Sequence, residues 1–309
     1  MRLALCVATR TRPHGLARLL KALSMLRHPD GLEVEVVVVD NDPGQSARAV
    51  VDAARVQLRW PVRYLVEARS GVSFARNTAL DATRGCDLIA FIDDDETPAP
   101  DWLAEILARH RETGAAAVTG PTEPCFEGKP PAWLIDAFQL SYIRPKPERP
   151  LTEVTTGNLL LARATLQRHD LRFDERLSLV GGEDTLLASQ LARAGETIAW
   201  AERALVYDHV PASRVRLGWL LRRWYRTGNV EALLAMQGRR GFPGRALGLA
   251  GGLARLGLGT AALAASLPGL VLGARGHAVR RLYTVARGLG MLASVCGRHH
   301  QEYRTIHGT

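Results

Sequence analysis

Four consecutive valines, Val36–Val39, stand inside the run VEVVVVD at 34–40. β-Branched residues lose rotamer freedom in a helix and pack well on a pleated surface. A run without polar alternation suits a strand covered on both faces, which is the situation of a strand inside a parallel sheet. Helices must then supply the covering layers, so this one segment commits the chain to an α/β architecture.

The neighbouring segments follow suit. An apolar run at 2–8 precedes a polar loop and a helical pattern from Pro13 to about Leu26. After the valine strand come a helix near 44–56, a strand at 62–66, a helix at 72–83 and a strand at 87–92. Alternation of this kind with short connections predicts a doubly wound sheet, in which ligands bind beyond the carboxyl ends of the strands. Three of those ends are polar: Thr9-Arg10-Thr11-Arg12, Asp40-Asn41-Asp42 and Asp93-Asp94-Asp95-Glu96.

Further on, 120–150 is Pro-rich and holds Trp133, Phe138 and Tyr142, as a long surface excursion would. A strand-like stretch at 153–162 follows, then Gly181-Gly182-Glu183-Asp184, which opens a helix ending at Gly195. Two short strands, TIAW and ALVY, bring the chain to Asp208-His209.

Charge divides the chain at this point. Residues 1–209 hold 25 basic and 29 acidic side chains, a net of −4, whereas 210–309 hold 15 basic and two acidic, a net of +13. A nucleic-acid binder would not be expected to concentrate its charge this way, and none is expected as a partner. A catalytic domain followed by a basic segment that meets anionic lipid would. Residues 214–226 read as a basic amphipathic helix, and 256–274 form a window of 19 residues without a charge, interrupted by Pro268. Arginines at 239, 240, 245 and 255 precede that window and others at 275, 280, 281 and 287 follow it. A single span would strand one cluster outside, so an interfacial or re-entrant segment stands beside a true span and a buried helix as the alternatives. Cys6, Cys86, Cys125 and Cys296 show no C-x-x-C spacing, which predicts neither a zinc site nor a disulfide framework and suits a reducing compartment. The first residues run straight into a strand, with Arg10 and Arg12 breaking any apolar stretch, so no signal peptide is expected.

Three adjacent carboxylates at a strand end repel one another, and a divalent cation is the natural compensation. The rival account is a solvated acidic turn leading into the helix after Pro98. Placement after an apolar strand, near Asp40 and Asp42, favours the cation. On an extended segment Asp93 and Asp95 would share a face while Asp94 points away.

The ordered set of Thr9 and Arg12 after the first strand, VVVDND, GVSFARNTAL, FIDDDE and GGEDTLL resembles the inverting glycosyltransferases of family 2, with the GT-A fold, over about 1–210. TGNLLL, the PPAW loop and RRWYRTGN resemble the succinoglycan-type bacterial exopolysaccharide members. The resemblance implies a Rossmann-like mixed sheet flanked by helices, with a nucleotide-sugar half at 1–119, an acceptor half at 120–210 and a basic membrane-associating helical region at 211–309. It implies that Thr9, Arg12 and Asp40 hold the nucleotide base with Asp42 close by, and that Arg69, Arg76 and Asn77 face the nucleotide and its phosphates. Asp93-x-Asp95 would be the DXD motif on Mn2+ or Mg2+, with Asp94 nearer the ribose. Asp184 would be the general base, because an acceptor hydroxyl is a poor nucleophile until a carboxylate takes its proton.

Glu183, Gly157 and Asn158 would line the acceptor side. Trp133 is either a sugar-stacking platform there or an anchor for its loop, and His209 either a third metal ligand or a structural histidine. The implied donor is UDP-glucose, and the implied acceptor a lipid-linked saccharide at the cytoplasmic face of the inner membrane. Leu220 stands where processive polysaccharide synthases carry Gln before Arg223-Trp224, which favours transfer of one sugar per encounter. A polyprenyl-phosphate acceptor is the nearest enzyme alternative. A nucleotidyltransferase on a similar sheet is the alternative of another class, disfavoured because Thr9–Pro13 lacks a Gly-rich phosphate loop.

Overall fold

The computed structural model describes residues 1–28, 31–146, 149–238, 242–271 and 275–300, with the side chains of 238, 242 and 267–271 also outside the description. Arg239 and Arg240 of the basic segment lie outside it. The described chain divides into two compact units, one of 1–125 and 143–209, the other of Phe126–Tyr142 with 210–300.

The first unit is built on strands β1 (Arg2–Thr9), β2 (Glu33–Asp40), β3 (Val62–Val66) and β4 (Leu88–Phe91), joined by α1 (Pro13–Ser24), α2 (Arg48–Ala54) and α3 (Val72–Ala82). The strands lie in the order β3-β2-β1-β4 and are all parallel, with Thr9 opposite Asp40 and Cys6 opposite Phe91. Val36 and Val38 pack under α1 with Leu16, Leu19 and Leu23, while Val37 and Val39 face Ala75 and Leu80 of α3. All four valines are 0% exposed, as the uninterrupted run predicts for a strand covered on both sides.

After β5 (Glu96–Pro98) and α4 (Trp102–Thr113) come β6 (Ala117–Thr119) and β7 (Thr122–Phe126). Helix α5 (Ala132–Gln139) precedes β8 (Leu159–Ala162), α6 (Arg163–Arg168), α7 (Glu183–Arg193), β9 (Ile198–Trp200) and β10 (Val206–Val210). β8 enters the main sheet antiparallel to both β4 and β6, and β9 closes it beside β6, so the seven-stranded sheet is mixed. A smaller sheet, β5-β10-β7, sets Asp208 opposite Glu96 and Tyr207 opposite Thr97.

Two elements are shorter than the sequence suggests, and each has a local cause. The stretch at 153–162 is a strand only from Leu159, because Thr156–Asn158 form a 3-10 turn. There Asn158 spends its amide on the carbonyls of Pro121 and Ala204, competing with a ladder. Helix α2 begins four residues late, since the Asp42 carboxylate accepts the Gly44 amide and Gln45 turns through φ +56°.

The second unit holds α5, α8 (Leu217–Gly238), α9 (Phe242–Val271) and α10 (Arg275–Val295). Helices α8 and α10 meet backbone to backbone: a Cβ at Gly290 would lie 1.9 Å from the Tyr225 carbonyl oxygen. Only glycine fits there. The sequence suggests a break at Pro268-Gly269, but α9 continues to Val271; residues 272–274 lie outside the description. By length and composition alone, Pro243–Ser266 of α9 is long and apolar enough to cross a membrane. Leu247, Leu249, Leu253 and Leu258 on it are exposed.

Candidate active site

The acidic triplet follows β4 as a tight turn, closed where the Glu96 amide donates to the Asp93 carbonyl at 3.1 Å. Asp94 points into the protein and is 4% exposed, taking the Thr9 hydroxyl at 2.7 Å and Arg12 Nη1 at 2.9 Å. The first turn of α1 presses on it: a Cβ at Gly15 would come within 2.6 Å of the Asp94 carbonyl oxygen. Burial, with repulsion from Asp95, pushes the Asp94 carboxyl up to about 6, against the pull of Arg12 and Thr9. The alternation expected of the triplet therefore holds, but Asp94 is turned toward Thr9 and Arg12 rather than outward to a ribose.

Asp93 and Asp95 keep side-chain exposures of 37% and 24%. Arg76 Nη2 lies 3.0 Å from Asp93 Oδ1, and Arg12 Nη1 lies 3.0 Å from Asp95 Oδ2. Desolvation, then the charges of Asp95 and Asp184, raise the Asp93 carboxyl, while Arg76 opposes them. Behind the triplet Glu96 is 6% exposed and is driven well above the carboxylate range, by burial first and then by Asp93, Asp208 and Asp95.

His209 joins this group through its backbone, whose amide donates to the Asp95 carbonyl at 2.9 Å. Its Nε2 lies 2.8 Å from the Thr97 hydroxyl. Among the described residues no three His, Cys, Asp or Glu side chains converge into a ready-made metal cage. The donor set is nonetheless that of a hard divalent cation: the carboxylates of Asp93, Asp95 and Glu96 gathered at one strand end, in excess over the guanidiniums of Arg12 and Arg76. An ion of the Mg2+ type takes one or two carboxylates and completes its shell with water and phosphate oxygens, and the residues fit such an ion.

The second half of the site is the turn before α7. Gly181 and Gly182 have φ of +86° and +89°, left-handed values that admit glycine without strain. Beyond them Glu183 is 2% exposed and bonds Arg76, itself 3% exposed. Arg76 thus touches both Asp93 and Glu183, tying the acidic turn after β4 to the start of α7. Asp184, half-buried, accepts the Thr185 amide at 2.6 Å, and its charge is felt at Asp93.

Other expected residues lie elsewhere in the packing. Asp40 has no exposed surface, and its carboxylate accepts from the Ala47 amide and the Tyr64 hydroxyl, both at 2.8 Å. Asp42 stays at the rim, held below the usual carboxylate range by the Gly44 amide. Arg69 pairs with Glu67 at 2.9 Å and covers the Phe74 ring. Asn77 is 2% exposed and spends both ends of its amide on the Phe173 backbone, so it ties α3 to that segment instead of facing a nucleotide.

Asn158, 0% exposed, also accepts the Trp102 indole at 2.8 Å, which makes it a buried tie and not an acceptor surface. Gly157 is buried too: a Cβ there would stand 2.2 Å from Glu96 Oε2, so its role is to admit that carboxyl. Trp133 lies in the second unit, half-buried against the cluster of Leu134, Phe138 and Trp224. Glu96 is the member of the site that no sequence assignment singled out. It is visible as the fourth acid of the run, but only the β5–β10 register sets it against Asp208.

Residues 4–168 match the model of the family described as Glycosyl transferase family 2. The chain is 36% identical over 239 residues to the succinoglycan biosynthesis protein ExoM of Rhizobium meliloti, covering 76% of each chain. Among solved structures it is similar to the mannosyltransferase PcManGT from Pyrobaculum calidifontis, in complex with GDP-Man and Mn2+. The TM-score is 0.67 at 19% identity, over 96% of this chain and 86% of that one. It is also similar to S. aureus TarS 1–349 in complex with UDP-GlcNAc, with a TM-score of 0.54 at 20% identity, over 76% and 67%.

Proposed function

The chain belongs to glycosyl transferase family 2 and has the GT-A fold, and from that premise we propose that it is an inverting transferase moving a hexose, glucose in our reading, from a UDP-sugar to a lipid-linked saccharide. The observation that carries this reading is the Arg76 tie, which sets the turn holding Asp184 beside the acidic triplet at the carboxyl end of the sheet.

Asp184 takes the proton of the acceptor hydroxyl as it attacks the anomeric carbon, and a single base on that side gives direct displacement with inversion. Asp95 and Asp93, with His209 beside them, would hold Mn2+ or Mg2+, which supplies neutralisation of the departing diphosphate when bound. Thr9 and Arg12 act on the donor side by holding Asp94 and the triplet in register.

The likeness to a succinoglycan biosynthesis protein supports an acceptor on the route to an exopolysaccharide. The exposed leucines of α9 and the basic balance of 210–309 support association with the anionic cytoplasmic leaflet of the inner membrane. Incubation with a panel of nucleotide sugars tests the donor assignment: slow hydrolysis of UDP-glucose without acceptor is expected, and release of pyrophosphate would point to nucleotidyl transfer instead. Full solubility after detergent-free lysis at low and high salt would contradict the membrane assignment.

A further inference from the structure

Both outer carboxylates of the acidic triplet carry an internal guanidinium, Arg76 on Asp93 and Arg12 on Asp95. The two arginines are held differently. Arg76 is 3% exposed and is also fixed by Glu183. Arg12 stands at the entry to α1, is 22% exposed, and directs Nη1 at Asp94 Oδ1 and Asp95 Oδ2, 2.9 and 3.0 Å away. Asp94 has a second donor in the Thr9 hydroxyl, so it stays bonded if Arg12 leaves.

A cation on Asp95 would compete for the oxygen that Arg12 already holds, and would stand a few ångströms from a like charge. A diphosphate offers that guanidinium an alternative anion, which its planar fork matches with two parallel hydrogen bonds. Resting on the nucleotide-sugar reading above, we propose that Arg12 is the resident counter-ion of the triplet. It moves to the donor's diphosphate when a divalent cation takes Asp95, so this side chain adds to the cooperativity that phosphate oxygens on the cation already give. Arg12 is then a positioning residue for the diphosphate, rather than a contact to the base.

The test is Mn2+ binding to the full chain, followed by electron paramagnetic resonance, with and without saturating UDP. In the native protein UDP tightens Mn2+ about tenfold or more, and Mn2+ tightens UDP by the same factor, as reciprocity requires. In Arg12→Gln, Mn2+ alone binds about fivefold tighter than in the native protein and the coupling falls by about the same factor. Arg12→Lys keeps the charge and so keeps the weak binding of Mn2+ alone; thermal melting of both variants checks that they fold. Undiminished coupling in Arg12→Gln overturns the inference and leaves the transferase reading standing. Failure of Mn2+ to bind the native protein even with UDP overturns the inference together with the cation assignment.

Discussion

Arg76 and Glu183, 107 residues apart in sequence, form an ion pair from which water is almost wholly excluded, with side-chain exposures of 3% and 2%. Breaking a buried pair by removing one partner leaves an uncompensated charge, at a cost of about 3–5 kcal/mol. Arg76→Ala should therefore lower stability in urea denaturation by about that amount and lose transfer activity. Arg76→Ala/Glu183→Gln should regain part of the stability, because the stranded charge is gone. It should not regain activity, since nothing then ties the Asp184 turn to Asp93.

The contact between Gly157 and Glu96 makes a second prediction. A methyl group at 157 would meet Glu96 Oε2 at 2.2 Å and displace a carboxyl packed behind Asp93. Gly157→Ala should cost roughly 1–3 kcal/mol, as overpacking does, and should reduce activity beyond what the loss of stability explains. Thermal melting beside initial-rate measurements separates the two effects.

A third prediction concerns pH. Glu67 accepts from the side chain and amide of Arg69 and from the Thr78 hydroxyl, and these bonds, Arg69's first, hold its carboxyl down to about 2 from an ordinary 4.5. A depressed folded-state value means that the unfolded chain binds more protons between those limits. The stabilisation is then complete above about pH 4.5 and is lost as pH falls toward 2. Glu67→Gln should flatten the stability profile across that window and leave its shape above pH 6 unaltered, as read by denaturant titrations at several pH values.

The parallel half of the sheet was legible in sequence because its signals are local. Val36–Val39 declare a strand covered on both faces, and 62–66 is the strand the pattern predicts. The resemblance implies a mixed sheet, but which strand runs antiparallel was not legible, since the pairing of β8 with β4 and β6 joins segments far apart and no run of residues encodes that order.

Of the site, the separation of Asp94 from Asp93 and Asp95 followed from alternation alone, whereas its inward turn toward Thr9 and Arg12 is visible only in the fold. The roles of Asn77 and Asn158 did not follow either, because a polar residue in a motif looks the same in sequence whether its amide faces a ligand or satisfies buried carbonyls. The sequence places Arg76 at the nucleotide for a similar reason. Its two carboxylate partners lie 17 and 107 residues away, and only the fold reveals them.

Asp184→Asn isolates the role of Asp184 as general base, because the amide keeps the size of the side chain and cannot accept the acceptor's proton. The measurement is the initial rate of sugar transfer by this variant, with UDP binding in the presence of Mn2+ measured on the same sample. A general base at this position predicts a rate lowered at least about 100-fold with UDP affinity retained. Turnover near the native rate, with binding equally intact, would contradict it.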